Sequence, residues 1–219
     1  MSSLRARHSA WSCGRRIRTL VIRAIDASAA LRKPNVLTVP TGRDVARVAA
    51  SLACVIPPSA YGRTDEFNIY RPILAVDRVR HVGDGVAFVV AATQDEACEA
   101  ARLIKVDYVR LPDYVDPIVA LSKEPNWADA PDNLAFDWRF GDSARCKELF
   151  AEAAHVVAIK VELPRLNPNP IEPRGAIGLY DPQSDSFTLV SNPQGVHFVR
   201  GVLAQALRLP EERLRVVAP

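Results

Sequence analysis

The side chains best suited to chemistry are scattered along the chain. His8, His81, His155 and His197 lie far apart and show no metal-ligand spacing, so each reads as a surface or packing residue. Cys13, Cys54, Cys98 and Cys146 contain no Cys-x-x-Cys pair, so neither a zinc knuckle nor an iron–sulfur cluster is encoded. Cys98 falls in a predicted helix and is expected as a small core residue. There is no Gly-rich phosphate loop, no His-Glu-x-x-His and no Gly-x-Ser-x-Gly. Free thiols without an export signal point to the cytoplasm.

Charge is unevenly distributed. The 219 residues carry a formal net charge of +3. Residues 1–33 hold eight Lys/Arg against the single acid Asp26, leaving 20 basic and 24 acidic residues in the remainder. A basic arm suggests nucleic acid or anionic lipid, but its one aromatic residue is Trp11, and no nucleic-acid partner is expected. Arg15-Arg16 invites a twin-arginine reading. The apolar stretch after it is only Leu20-Val21-Ile22, too short for an export segment. No apolar run reaches the roughly 20 residues that span a bilayer.

Two parts emerge from the pattern of elements. In the first, Val21–Ile25 reads as a strand, and Asn35–Val39 as a second short β-rich run. Residues 45–61 carry a weak pattern, with a loop at Pro57-Pro58. Ile73–Val76 leads through Val79–Val82 into a Gly83-Asp84-Gly85 turn. Val86–Ala91 is an unbroken apolar strand, a sign of burial on both faces. Thr93 caps a helix, with Glu96 completing a capping box and Ala97, Ala101 and Ile104 on one face. Val106–Val109 follows as a strand, so this strand–helix–strand stretch predicts a crossover unit. Residues 122–140 read as a linker.

In the second part Asp142 caps a helix to about Ala153, with Cys146, Leu149, Phe150 and Ala153 inward. Val156–Leu163 alternates like a strand. The four prolines of 164–173 predict a stiff, irregular loop. Ala176–Tyr180 and Ser186–Val190 form a hairpin around Asp181-Pro182. Val196, Val199, Leu203, Ala206 and Leu207 mark an amphipathic helix, and Leu214–Val217 starts a strand. The fold class is α+β.

The concentrated signal is a set of ordered phrases. They are Ala24-Ile25-Asp26-Ala27-Ser28-Ala29-Ala30, Arg71-Pro72-Ile73-Leu74-Ala75, Val79-Arg80-His81-Val82-Gly83, Val106-Asp107-Tyr108 with Leu111-Pro112, and Gly141-Asp142. Later come Asn169-Pro170-Ile171-Glu172-Pro173-Arg174-Gly175-Ala176, then Gln194-Gly195-Val196-His197 and Leu209-Pro210-Glu211-Glu212. In this order the chain resembles, from about Ile22 to Pro219, the large subunit of the molybdenum hydroxylases: xanthine dehydrogenase, aldehyde oxidase and aerobic carbon monoxide dehydrogenase.

The resemblance implies an α/β hammerhead domain over 21–121, a linker over 122–140, and the truncated start of a molybdopterin-binding α+β domain over 141–219. It implies hydroxylation of an aldehyde, an N-heterocycle or carbon monoxide with water as the oxygen source. Iron–sulfur and FAD subunits would carry the electrons away. Gln194 matches the glutamine that reaches the molybdenum cofactor, where its amide donates to a metal-bound oxo group. Glu172 matches a segment lining the substrate side. From the residues alone, Gln194 also reads as an N-terminal helix residue, and Glu172 as a loop carboxylate paired with Arg174. Pro193 departs from the motif. No metal ligand is expected among the side chains.

In the family the strand that begins at Leu214 runs into a Gly-Gly-Gly-Phe-Gly loop, whereas this sequence reaches Pro219 first. The general-base glutamate and the later pterin-binding loops have no counterpart, so no catalytic residue is assigned. The chain alone is not expected to be active or to retain molybdenum-molybdopterin. A split gene would supply the remainder of the large subunit as a second chain. Rival readings are a non-catalytic hammerhead interaction or assembly module, and an unstable gene remnant that exposes an unpaired Leu214–Val217 strand.

The first twenty residues are atypical. The family carries Arg-Ser-Pro-His-(Pro/Ala)-His-Ala before the Ile-Asp phrase. Plausible GC-rich codons for Ala10 to Leu20, read from the third base of the Ala10 codon, can read Met-Val-Val-Arg-Ser-Pro-His-Pro-His-Ala, with only the first base of each shifted codon free. Residues 1–20 are therefore expected to be frameshifted. Sequencing the coding DNA tests this, and a shifted frame lacking Ser-Pro-His-x-His-Ala would contradict it.

Overall fold

The computed structural model describes residues 7–8, 19–52, 71–128, 130–134, 137, 139–163, 166, 169–172 and 175–219. Most of the atypical N-terminus, Cys13, Cys54, the Pro57-Pro58 loop and Arg174 lie outside the described residues.

The first part contains β1 (Arg7–His8), β2 (Leu20–Asp26), α1 (Ser28–Leu31), β3 (Val36–Thr38), α2 (Gly42–Val48), β4 (Arg78–Val79), β5 (Val90–Ala91), α3 (Gln94–Ala101), β6 (Lys105–Arg110) and α4 (Pro117–Ala120). Two three-stranded sheets result, ordered β1-β5-β3 and β4-β2-β6. The strand–helix–strand expectation is corrected here. β5 and β6 flank α3 but lie in different sheets, because β6 pairs antiparallel with β2 from Leu20↔Arg110 to Asp26↔Lys105. Regular strand in the Val86–Ala91 run is likewise limited to its last two residues. Ala87 still bridges Thr41, and the Phe88 N–H donates to the Pro40 carbonyl at 2.9 Å.

Burial follows the apolar runs. Ala30, Val39, Ala87, Val89, Ala91, Ala97 and Ala100 form one cluster, and Ile22, Ala75, Val79 and Val86 a second. These are small side chains, and the backbones accordingly approach closely. A Cβ on Gly42 would stand 2.1 Å from the Ala75 carbonyl oxygen. Cys98 is half-buried rather than in the core.

The Thr93 hydroxyl accepts from the Glu96 N–H (3.3 Å) and donates to the Glu96 carboxylate (2.8 Å). α2 falls where the sequence pattern is weak. Its start is held by the Asp44 carboxylate, which accepts from the Thr41 N–H and hydroxyl at 2.9 and 2.7 Å.

Residues 122–128 and 130–134 are tied down. Asn133, in the left-handed region (φ 57°), donates from its amide to the carbonyls of Ala120, Lys123 and Glu124 and accepts from the Asn126 N–H. The Arg80 guanidinium lies 3.6 Å from the Trp127 ring centroid, and Arg78 and Arg80 donate to the Asn126 carbonyl at 3.2 and 3.4 Å.

The second part holds α5 (Ser143–Glu152), β7 (Ala176–Asp181), β8 (Ser186–Ser191), α6 (Val196–Leu207), a 3-10 turn (Glu211–Arg213) and β9 (Leu214–Val217). β7 and β8 form the expected hairpin. β9 lies parallel to β8, so β8–α6–β9 is a true crossover unit. The expectation of an unpaired Leu214–Val217 is therefore overturned.

Two further expectations change. Residues 156–163 pair with no strand among the described residues, and Val157, Ile159, Val161 and Leu163 are 70–88% exposed. An alternating segment becomes a strand only when a neighbour takes its backbone groups. α5 forms, capped by Asp142 accepting from the Arg145 N–H (2.9 Å), but Cys146, Leu149 and Phe150 are exposed, since no described element covers that face. The two parts touch where the Ala50 N–H donates to the Ala206 carbonyl (2.6 Å), satisfying an orphan acceptor in the last turn of α6.

Candidate functional site

The β7–β8–β9 sheet gathers the two predicted residues at one end. β8 finishes at Ser191 opposite Ala176, the first residue of β7, and Val190 is in register with Val217 near the end of β9. The loop carrying Glu172 enters β7 at this end, and the turn carrying Gln194 leaves β8 at the same end. In sheets with a parallel crossover, the space beyond the carboxyl ends of the strands is the usual ligand position.

Gln194 precedes Gly195, the N-cap of α6, and its side chain is exposed. It is therefore placed just outside the helix rather than in its first turn. Glu172 is also exposed. Its described partner is Asn192, whose amide Nδ2 donates to Glu172 Oε1 at 2.5 Å. The Ser191 hydroxyl donates to the Gly175 carbonyl at 2.9 Å. Sequence reasoning missed Asn192 and Ser191, because their partners lie 20 and 16 residues away with no periodic signature.

Among the described residues singled out at this end, the donors are the Asn192 and Gln194 amides and the Ser191 hydroxyl, and Glu172 contributes a carboxylate acceptor. Amides donate without adding charge, which fits an oxo-bearing cofactor, and a carboxylate beside them fits a polar organic substrate. Among the described residues no group of three His, Cys, Asp or Glu side chains is placed to hold a metal ion directly. His81, His155 and His197 are exposed.

The opposite end of the sheet is locked rather than open. The Tyr180 hydroxyl donates to Asp185 (3.0 Å), and Arg213 pairs with the Asp185 carboxylate and donates to its carbonyl (2.8 Å). The Asp185 carboxylate raises the Tyr180 phenol above its ordinary value, and the Ser184 hydroxyl lowers Asp181 below the usual carboxylate range. Each of these interactions serves the hairpin turn.

Family profiles match both parts of the chain. The aldehyde oxidase and xanthine dehydrogenase a/b hammerhead domain matches residues 20–112, and the molybdopterin cofactor-binding domain matches residues 127–219. The chain belongs to the molybdenum hydroxylase large-subunit family. It is 31% identical over 161 residues to the carbon monoxide dehydrogenase large chain of Hydrogenophaga pseudoflava, covering 67% of this chain and 20% of that one. It is 31% identical over 201 residues to the nicotine 6-hydroxylase large subunit of Paenarthrobacter nicotinovorans, covering 90% and 24%. Quinoline 2-oxidoreductase from Pseudomonas putida 86 superposes with a TM-score of 0.77 at 29% identity, over 100% of this chain and 26% of that one. The chain thus spans about a fifth to a quarter of the length of these relatives. No helix among the described residues is long and apolar enough to cross a membrane.

Proposed function

We propose that this chain supplies the hammerhead domain and one wall of the molybdopterin site of a cytoplasmic molybdenum-dependent hydroxylase. The observation that carries this reading is the convergence of the Glu172 loop and the Gln194 turn at one end of the β7–β8–β9 sheet. Such an enzyme hydroxylates an aldehyde, an N-heterocycle or carbon monoxide, with water as the oxygen source. The cofactor, when bound, supplies the two-electron oxidation.

The chain's own residues orient. Gln194 presents an amide donor at the mouth of the β8–α6 turn. Glu172 presents a carboxylate acceptor to the polar part of the substrate. Catalysis requires the rest of a large subunit, together with iron–sulfur and FAD partners. The relatives' own names place them as subunits: a large chain, a large subunit, and a subunit gamma of a dehydrogenase complex.

The test is activity after assembly. The chain is produced with polypeptides carrying the remaining large-subunit segment and the two electron-transfer subunits, then assayed against aldehydes, N-heterocycles and carbon monoxide. Turnover of one class is expected, and Gln194→Ala should lower kcat about a hundredfold, the cost of losing one well-placed donor. Equal activity with and without this chain would contradict the reading.

A further inference from the structure

We propose that Asn192 is the positioning residue that orients the Glu172 carboxylate toward a substrate N–H or O–H donor, a role that rests on the molybdenum-hydroxylase reading above. Asn192 Nδ2 donates to Glu172 Oε1, and the Ser191 hydroxyl donates to the Gly175 carbonyl. Two consecutive side chains at the end of β8 therefore contact Glu172 and Gly175.

The physical case concerns freedom. An exposed glutamate samples many rotamers, and fixing it on substrate binding costs entropy. A partner amide that already holds Oε1 removes part of that cost and leaves Oε2 available as an acceptor. An amide suits this task, because it donates without neutralising the carboxylate, as lysine or arginine would. Asn192 also lies two residues before Gln194. The backbone that places the cofactor-side amide therefore sets the substrate-side carboxylate as well. The ligand class is a polar organic substrate bearing a hydrogen-bond donor.

Two measurements test the assignment. In the full chain labelled with nitrogen-15, the Asn192 side-chain amide signal is expected to shift in Glu172→Ala. In the assembled molybdenum enzyme, Asn192→Ala and the near-isosteric Asn192→Asp are each expected to raise KM about tenfold for a hydroxyl-bearing aldehyde, with kcat held within about twofold. KM for the same aldehyde lacking the hydroxyl should be unchanged, a discrimination that a purely structural role would not produce.

An Asn192 amide signal indifferent to Glu172 overturns the proposal. So does an equal KM rise for both aldehydes, or no rise for either. If the assembled wild-type preparation holds no molybdenum, the hydroxylase reading itself fails and this role falls with it. The amide shift still reports the hydrogen bond in that case, so the two failures are distinguishable.

Discussion

Gly42 shows how one residue fixes an approach between segments. It is buried at the start of α2, with space for a hydrogen but not a methyl against the Ala75 carbonyl. Gly42→Ala is expected to destabilise the hammerhead part by about 2 kcal/mol or more, through forced backbone displacement. Urea unfolding checks this, and an unchanged midpoint would show that the backbone yields freely. Glu172 and Gln194 teach a different lesson about legibility. Neither carries a spacing signature, because an exposed carboxylate and an exposed amide are chemically ordinary in isolation. The sequence points to them only through the phrases Glu-Pro-Arg-Gly and Gln-Gly-Val-His. Their convergence depends on strand register, which no local pattern encodes. Asn192 has no such phrase and emerges only from its contact with Glu172.

Elements with local signals were readable, and elements that depend on partners were not. The α3 cap was legible because Thr93 and Glu96 interact within one turn. α2 carries a similar signal in Thr41-x-x-Asp44, but it is masked by a weak apolar pattern. Val156–Leu163 has the alternation of a strand and no described neighbour to pair with, so pattern alone misplaces it. The β5–α3–β6 stretch misled for the same reason, since sheet membership is decided by β2.

Acid should probe the capped starts. Asn35 and then Thr93 hold Glu96 below its ordinary value by hydrogen bonding, Thr41 does the same for Asp44, and Ser28 for Asp26. A depressed carboxylate stabilises the fold while ionised. That contribution is present above its unfolded-state value and fades as pH falls through the folded-state value. Thermal stability should therefore drop as pH falls below about 4, and less steeply in Glu96→Gln. Identical slopes in the two proteins would contradict this.

The clasp of Arg80 on Trp127 makes a separate prediction. Arg80 is partly buried against Trp127, and Arg80→Ala should cost about 1–2 kcal/mol and red-shift tryptophan emission as Trp127 becomes wetter. An unchanged emission maximum would mean that the environment of Trp127 does not depend on Arg80.

At the scale of the whole molecule the two parts differ in closure. The hammerhead part buries two clusters, one where β5 meets α1 and α3 and one about β2 and β4. The second part builds a sound β8–α6–β9 unit yet leaves α5, Val156–Leu163 and all of β7 exposed. The matched relatives are about four to five times as long as the share this chain covers. Both facts are consistent with the proposed molybdopterin wall at the open end of this sheet. The measurement that tests this most directly is molybdenum and pterin content per polypeptide. It would be made on the chain purified alone and again after assembly with the remaining large-subunit segment and its electron-transfer partners. The account predicts stoichiometric molybdenum and pterin in the assembly and neither on the chain alone. An assembly lacking molybdenum would contradict the central claim, and a fully loaded isolated chain would contradict the view that the site is shared.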